Sequence, residues 1–351
     1  MRRIRQLLSA TVFLLLIGLI IGAQVLAGDD YQTKELLMTA LLAPTQYSYQ
    51  GTIVSVVWSG QHSCSSVIQN YHQAPSYNRW EFVDTCGEPQ SIIIDNAQER
   101  WEISPTESKV RVAPSIERCD LAEAHAELIR LYQNYTVSQV GTGQIVGRQT
   151  KVLDLSPKFQ GNPRQVLWID TSTGLVLRWE KYKPDGNLSQ LGYFSSFELV
   201  DKLEPTLFQY TPKYGEVVER RDSSSLPQEV VDLQKQLGEV IRYPGTLPPG
   251  YQFSRARVLS RYQPNDTVHL QFTDGLNSIS VFETFRPFSG VIQWETLLDR
   301  AARMTMEDTQ VFLVATPEGY VLSWNKGYVA YSVVGDVPIQ ELKILVHSLR
   351  E

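Results

Sequence analysis

The sequence predicts an α+β protein built from two folded units, and three observations support this. The chain has 351 residues, which is more than a single hydrophobic core usually organises. Short runs rich in Val, Ile, Thr and Tyr recur between turn-forming residues, as is typical of antiparallel strands joined by tight turns. A few segments with apolar residues at helical spacing interrupt these runs.

The first 27 residues predict an export signal. Arg2, Arg3 and Arg5 precede an apolar run of about 18 residues that ends at Ala27. A small residue at that point fits a signal-peptidase site, so a cleaved signal peptide is one interpretation. The run also reaches the lower limit for an uncleaved membrane anchor. Both interpretations place the rest of the chain outside the cytoplasm, in the periplasm or an equivalent compartment, because the positive end stays inside.

Residues 28–213 predict the first unit, an antiparallel meander with helices inserted. A helix is expected at 31–43 and is predicted to stop at Pro44. A second helix is expected at 120–132. Tight turns at 170–174 and 184–187 place glycine where a positive φ is needed.

Apolar residues alternate along two strands of this unit. Leu177 and Trp179 are expected to point to the same face of the sheet. Tyr193 and Phe197 are expected to share a face opposite to that of Phe194. Because the pleat of a strand has a period of two, one face of the sheet should be apolar.

An apolar sheet face needs either a cover or a ligand, and both interpretations stay open. The side chains could form an ordinary core beneath the helices. Alternatively, a curved sheet could hold an acyl chain or a hydrophobic peptide, since each buried methylene contributes about 0.8 kcal/mol. The candidate lipid-binding residues are Trp58, Trp168, Leu177, Trp179, Tyr193 and Phe197.

Residues 214–242 predict a linker, because a charged and serine-rich stretch precedes a short amphipathic helix. Residues 243–351 then predict a smaller α+β domain with six strands. Its two helices are expected at 294–304 and 338–349. Pro338 suits the start of the second helix because its φ is already helical.

No catalytic, metal-binding or cofactor-binding pattern occurs in the chain. The five histidines are scattered, and neither a zinc-protease motif nor a phosphate-binding loop is present. The glycines at 141–147 lack the spacing of a dinucleotide-binding turn. A net charge of −6 argues against a nucleic-acid groove. The sequence therefore predicts a non-enzymatic binding protein without cofactor, metal or nucleic-acid partner.

Three cysteines, Cys64, Cys86 and Cys119, are present. They form no metal-binding spacing, and an extracytoplasmic compartment permits a disulfide. Cys64 and Cys86 flank a hairpin expected to turn near 74–77, so they are the predicted disulfide partners, and Cys119 is expected to be free.

The stretch Phe272-Thr-Asp274-Gly275-Leu276 is followed by Ser278-Ile-Ser280-Val281. Of several matching stretches, this one most specifically resembles the MucB/RseB family of extracytoplasmic regulators. The other matching stretches lie at residues 49–53, 132–135, 146–148, 152–155, 167–171, 185–186, 247–251 and 333–338. Residues 203–212 resemble the end of a wider fold that includes the LolA/LolB-like lipoprotein carriers.

The resemblance implies an unclosed antiparallel β half-barrel with covering helices, plus a smaller C-terminal α+β domain. It also implies a negative regulator of sigma-factor signalling. Such a protein would bind the extracytoplasmic segment of a single-pass anti-sigma factor and sense envelope stress through a lipid or lipopolysaccharide in an apolar cavity. The wider likeness keeps an alternative open: a periplasmic carrier of lipid or of a lipoprotein acyl chain, or an envelope-assembly factor.

Overall fold

The structure is a computed structural model that describes most of the chain from residue 31 onward. The described residues are 31–59, 62–83, 88–104, 109–115, 121–220, 222–223, 230–260, 266–285, 301–306, 309–316, 319–335 and 337–350. The predicted export segment at 1–27, Cys86 and Cys119 lie outside them. Over the described part, no helix has the length and apolar character needed to span a membrane.

The first unit contains a twelve-stranded sheet and two α-helices within the described ranges. Its elements are α1 (31–46), β1 (Ser48–Ser59), β2 (His62–Gln73), β3 (Tyr77–Val83), β4 (Pro89–Asn96), β5 (Glu99–Ile103), β6 (Lys109–Pro114), α2 (Leu121–Asn134), β7 (Tyr135–Ile145), β8 (Arg148–Pro157), β9 (Arg164–Asp170), β10 (Val176–Tyr182), β11 (Leu188–Val200), a 3₁₀ helix (Pro205–Phe208) and β12 (Val217–Arg220). Helix α1 runs past the predicted stop at Pro44. The backbone N–H of Tyr47 still donates to the carbonyl of Ala43, at 3.1 Å, because residues after a proline keep their own donors.

The strand order of this sheet is β12-β6-β5-β4-β3-β2-β1-β11-β10-β9-β8-β7. Strands that follow one another along the chain from β1 to β6 and from β7 to β11 pair in antiparallel fashion. Strand β1 pairs with β11 and so joins the two series at the centre of the sheet. The sheet is unclosed, with β7 and β12 at its edges, which confirms the predicted open antiparallel architecture.

The second unit is an eight-stranded sheet with order β13-β14-β15-β16-β20-β19-β18-β17. Its elements are β13 (Asp222–Ser223), α3 (Val230–Leu237), β14 (Gln252–Ser260), β15 (Asp266–Thr273), β16 (Ser278–Phe285), β17 (Ala302–Met306), β18 (Thr309–Thr316), β19 (Gly319–Lys326), β20 (Val329–Gly335) and α4 (Ile339–Arg350). Leu233 of α3 and Leu342 and Leu345 of α4 are fully buried in the core beside the strands. The smaller α+β domain is therefore confirmed.

The helix predicted at 294–304 is wrong where the structure describes it. Residues 302–304 belong to β17, which pairs with β18 along its whole length. The guanidinium of Arg303 lies 5.8 Å from the ring centre of Phe312, its partner across the two strands. Pairing with β18 satisfies the backbone here, and residues 294–300 lie outside the described part.

The predicted linker at 214–242 carries more structure than a flexible connection. Strand β12 pairs in parallel with β6 of the first sheet, and β13 pairs with β14 of the second. Helix α3 lies close to its predicted position at 228–237. The connection is thus hydrogen-bonded to both sheets.

A β-bulge in β11 changes which aromatic residues share a face. The pairing of β1 with β11 shifts by one residue, and Ser195 is the extra residue in β11. As a result, the rings of Phe194 and Phe197 meet, with their centres 5.2 Å apart. The expectation that Tyr193 shares a face with Phe197 is therefore wrong, because a one-residue shift inverts every side chain beyond it.

Glu283 of β16 is a fully buried acid in the second unit. Both carboxylate oxygens accept the backbone N–H of Arg242, each at 3.1 Å. Burial raises the pKa of Glu283 to about 8, although Arg242 acts in the opposite direction.

This site predicts a pH-dependent stability. A folded-state pKa above the unfolded value of 4.5 means that the stability linked to Glu283 is complete below pH 4.5 and is lost as the pH rises through about 8. When the pH is raised from 5 to 9, the free energy of unfolding should fall less in Glu283→Gln than in the wild type. The difference between the two losses should be on the order of a few kcal/mol. Chemical denaturation at the two pH values measures this, with the exposed Glu204→Gln as control. Equal pH dependence in wild type and Glu283→Gln would contradict the assignment.

Candidate functional site

Helices α1 and α2 cover one face of the first sheet. Leu37 of α1 and Leu131 of α2 pack together with Tyr135, Leu153, Leu155 and Ile169, which we call the helix–sheet core. Farther along α1, Ala43 packs against a second group. This aromatic cluster comprises Ala43, Ile53, Leu175, Leu177 and Phe194, with the partly exposed Tyr47, Tyr49, Ile68, Ile145, Trp179 and Phe197 around it.

Three of the predicted lipid-binding residues lie in the aromatic cluster. Leu177 is fully buried there, as the alternation along its strand predicts. The ring of Trp179 lies over Gly192, so close that a Cβ at Gly192 would be 2.1 Å from it. The ring of Phe197 lies 5.5 Å from that of Tyr49. Trp179 and Phe197 are only half-buried, so they present apolar surface that the core does not use.

Trp58, Trp168 and Tyr193, the other three predicted residues, lie on the opposite face. Arg178 is directly paired with both Trp168 and Tyr193, and directly paired residues share a face. The Arg178 guanidinium lies 4.6 Å from the ring centre of Trp168. Trp58 follows Val54, the partner of Tyr193, by four residues, so it points the same way. The structure therefore divides the six candidates between two faces.

On the face with Trp168, arginine side chains stack on aromatic rings and form ion pairs with carboxylates. Arg164 pairs with Asp154 and lies 4.9 Å from the ring centre of Tyr182. The hydroxyl of Tyr182 donates to Glu180 at 2.5 Å. Burial and the Glu180 carboxylate raise the pKa of Tyr182 above its usual value, so the hydroxyl stays a donor. This face is a polar and aromatic surface rather than an apolar one.

A turn at 170–174 holds α1 over the sheet, and the sequence did not indicate its full role. Asp170 is buried, accepts the hydroxyl of Thr173 at 2.6 Å, and pairs with Arg148 at 2.8 Å. Burial opposes ionisation of Asp170, but the bonds from Arg148 and Thr173 outweigh it and lower its pKa. Gly174, with φ 80°, packs against α1, since a Cβ there would be 2.5 Å from Thr39.

Arg148 links this turn to the aromatic cluster. Its guanidinium lies 5.4 Å from the ring centre of Phe197 while it pairs with Asp170. Neither Arg148 nor Asp170 was among the predicted site residues. The signal for Asp170 was its position in a marked turn, but only the fold places Arg148 beside it.

At least two clefts border the described residues of the first sheet. A cleft of about 260 Å³ lies between α1 and the 170–174 turn, and Leu36 and Tyr47 form its apolar wall. A cleft of about 390 Å³ lies between the β2–β3 turn and the segment at 202–209. The first of these clefts adjoins the aromatic cluster through Tyr47. Across the described positions, no group of three His, Cys, Asp or Glu side chains could hold a metal ion.

The predicted disulfide stays a prediction. Cys64 is an exposed residue of β2, and Cys86 lies outside the described residues. The described pairing of β2 with β3 ends at Val67 opposite Val83. Cys64 precedes Val67 by three residues and Cys86 follows Val83 by three, a spacing that is compatible with the pair.

The fold and the site define a two-domain protein with a helix-covered open sheet and a smaller α+β domain. The family description "MucB/RseB N-terminal domain" matches residues 32–211. Since this match covers just over half of the chain, the chain belongs to the MucB/RseB family. Among curated protein sequences, no match to this chain is found.

Solved structures of MucB share the architecture. The MucA/MucB complex of Pseudomonas aeruginosa is 19% identical with a TM-score of 0.56, covering 91% of this chain and 97% of that chain. A crystal structure of MucB is 18% identical with a TM-score of 0.55 and the same coverage. MucB in complex with MucA(peri) is 21% identical with a TM-score of 0.52, covering 90% and 97%. At these identities the likeness shows the fold, which here includes both domains.

The aromatic cluster yields a stability prediction. Leu177→Ala should lower the free energy of unfolding by about 2–5 kcal/mol, because it leaves a cavity beneath α1. Leu199→Ala, in the neighbouring strand, removes a side chain that is 38% exposed and should change stability by about 0.5 kcal/mol or less. Urea unfolding of both variants measures the difference. Equal effects would show that Leu177 is not a core residue.

Proposed function

We propose that this chain is an extracytoplasmic negative regulator of sigma-factor signalling, which binds the extracytoplasmic segment of a single-pass anti-sigma factor. Family membership is the observation that carries the proposal. MucB, of which a complex with MucA has been solved, matches both the helix-covered sheet and the small domain of this chain. No enzymatic step is part of this function.

The proposed ligand surface is the partly exposed side of the aromatic cluster. Trp179 and Phe197 would contact an apolar ligand, and the buried Leu177 would form the wall behind them. The ligand would be a lipid, a lipopolysaccharide acyl group or a lipoprotein acyl chain. A chain segment placed there would gain about 0.8 kcal/mol for each buried methylene. Trp58, Trp168 and Tyr193 would not contact the ligand, because they lie on the polar face.

The alternative function is a periplasmic carrier of lipid or lipoprotein, or an envelope-assembly factor. The same helix-covered apolar surface supports it. The second domain favours the regulator, since a carrier would need only the apolar surface. A carrier would load acyl chains without binding an anti-sigma factor.

Partner binding is the first test. The full chain without residues 1–27 should bind the extracytoplasmic segment of the anti-sigma factor encoded beside it. We expect a Kd of about 1 μM or tighter, which corresponds to about −8 kcal/mol. Isothermal titration calorimetry measures it. If that segment does not bind while acyl species copurify with the protein, the carrier is the better assignment.

Ligand binding is the second test, and two tryptophans on opposite faces provide a matched pair. Trp179→Ala should weaken binding of a fluorescent long-chain fatty acid about tenfold, the equivalent of losing roughly two buried methylenes. Trp168→Ala, on the polar face, should leave binding unchanged. Fluorescence titration compares them after circular dichroism has shown that both variants are folded. Equal affinities of the two variants would remove the proposed ligand surface.

A further inference from the structure

The two domains meet at a buried turn between β15 and β16. Residues 274–277 of this turn lie against the end of α2 and the start of β7. Asp274 and Tyr135 have no exposed surface, and Asn277 is 6% exposed. The large majority of polar side chains buried to this extent are hydrogen-bonded.

A hydrogen-bond network crosses between the domains at this point. The hydroxyl of Tyr135 donates to Asp274 Oδ2 at 2.6 Å and accepts a bond from Asn277 Nδ2 at 2.8 Å. Asn134 donates to the backbone carbonyl of Asp274 at 2.6 Å, and Asn162 donates to Asp274 Oδ2 at 3.2 Å. Burial and the Asp274 carboxylate raise the pKa of Tyr135 far above its usual value, so its hydroxyl keeps the proton that it donates.

The backbones approach so closely that glycine is required. Gly275, with φ 97°, faces the main chain of Leu131 in α2, and a Cβ would lie 2.7 Å from the Leu131 nitrogen. A Cβ at Gly250 would lie 2.7 Å from Asn134 Oδ1. The next turn residue, Leu276, packs against the helix–sheet core of the first domain. The small domain thus supplies a side chain to the core beneath α2.

Helix α2 is also tied to α1, which covers the aromatic cluster. Leu37 of α1 packs with Leu131 of α2. The hydroxyl of Tyr132 donates to Thr33 of α1 at 3.1 Å, and the Lys34 ammonium lies 5.0 Å from the Tyr132 ring centre. A continuous set of contacts therefore runs from the aromatic cluster through α1 and α2 to the turn at 274–277.

We propose that the 274–277 turn is the element that couples the ligand site to the small domain. A ligand that enters beside the aromatic cluster displaces α1, shifts the end of α2, and breaks the hydrogen bond from Tyr135 to Asp274. Leaving such buried polar groups without hydrogen-bond partners disfavours the docked arrangement of the two domains. This inference rests on the proposed function and supplies its regulation. Linkage is reciprocal. If the ligand disfavours the docked turn by a given factor, then docking of the turn weakens ligand affinity by that same factor.

Tyr135→Phe tests the coupling, because it removes the central hydroxyl and keeps the ring. Tyr210→Phe is the matched control, since its hydroxyl also donates to a carboxylate, Glu216, at 2.7 Å, but within the first domain. In the full chain without residues 1–27, Tyr135→Phe should bind the fluorescent fatty acid about fivefold tighter or more than wild type and Tyr210→Phe. Affinity equal to that of wild type overturns the coupling and assigns the network a structural role only.

A second readout needs neither ligand nor partner. Amide hydrogen exchange should show that Tyr135→Phe lowers protection in the last turn of α2 as well as at 274–277. If faster exchange is confined to residues 274–277, the coupling is overturned. This readout remains valid even if the fatty acid does not bind the wild type and the ligand part of the proposed function fails. Asn162→Ser, which removes a longer bond of the same network, replaces Tyr135→Phe if that variant does not fold.

Discussion

The burial of one apolar face of an open sheet is the constraint on which the rest of this structure depends. Side chains alternate between the two faces of an unclosed antiparallel sheet, so one face is apolar and the other polar. The apolar face must be covered to keep it from water. Helices α1 and α2 cover it through Leu37, Ala43 and Leu131. The covering is incomplete beside the aromatic cluster, where Trp179 and Phe197 stay half-exposed. The apolar surface left open there is the one that we propose receives a ligand.

A second constraint joins the domains. Asp274 lies at the boundary between them without exposed surface, so its oxygens must find donors in both. Its carboxylate accepts bonds from Tyr135 and Asn162 of the first domain. Within its own turn it accepts bonds from the backbone N–H groups of Leu276 and Asn277 and from the side-chain amide of Asn277. The stretch that resembles the MucB/RseB family thus contains residues that form both a turn and an interface between the domains.

Sequence reasoning succeeded where the structure depends on local pattern and failed where it depends on pairing. The shared side of Leu177 and Trp179 follows from the period of a strand and is confirmed. The contact of Phe194 with Phe197 could not be predicted, because the bulge at Ser195 is decided by the register with β1. The division of the six candidate residues between two faces likewise needed the pairings of β9, β10 and β11.

The sequence by itself determined the α+β class, the two units, the marked turns and the family to which the chain belongs. Each of these follows from short-range pattern or from stretches of a few residues. Tertiary structure alone decided that Arg148 meets Asp170 and Phe197, and that Tyr135 meets Asp274. The last two partners are 139 residues apart in the chain. Local pattern does not record such contacts, since they form only when separate elements pack and bury their polar groups together.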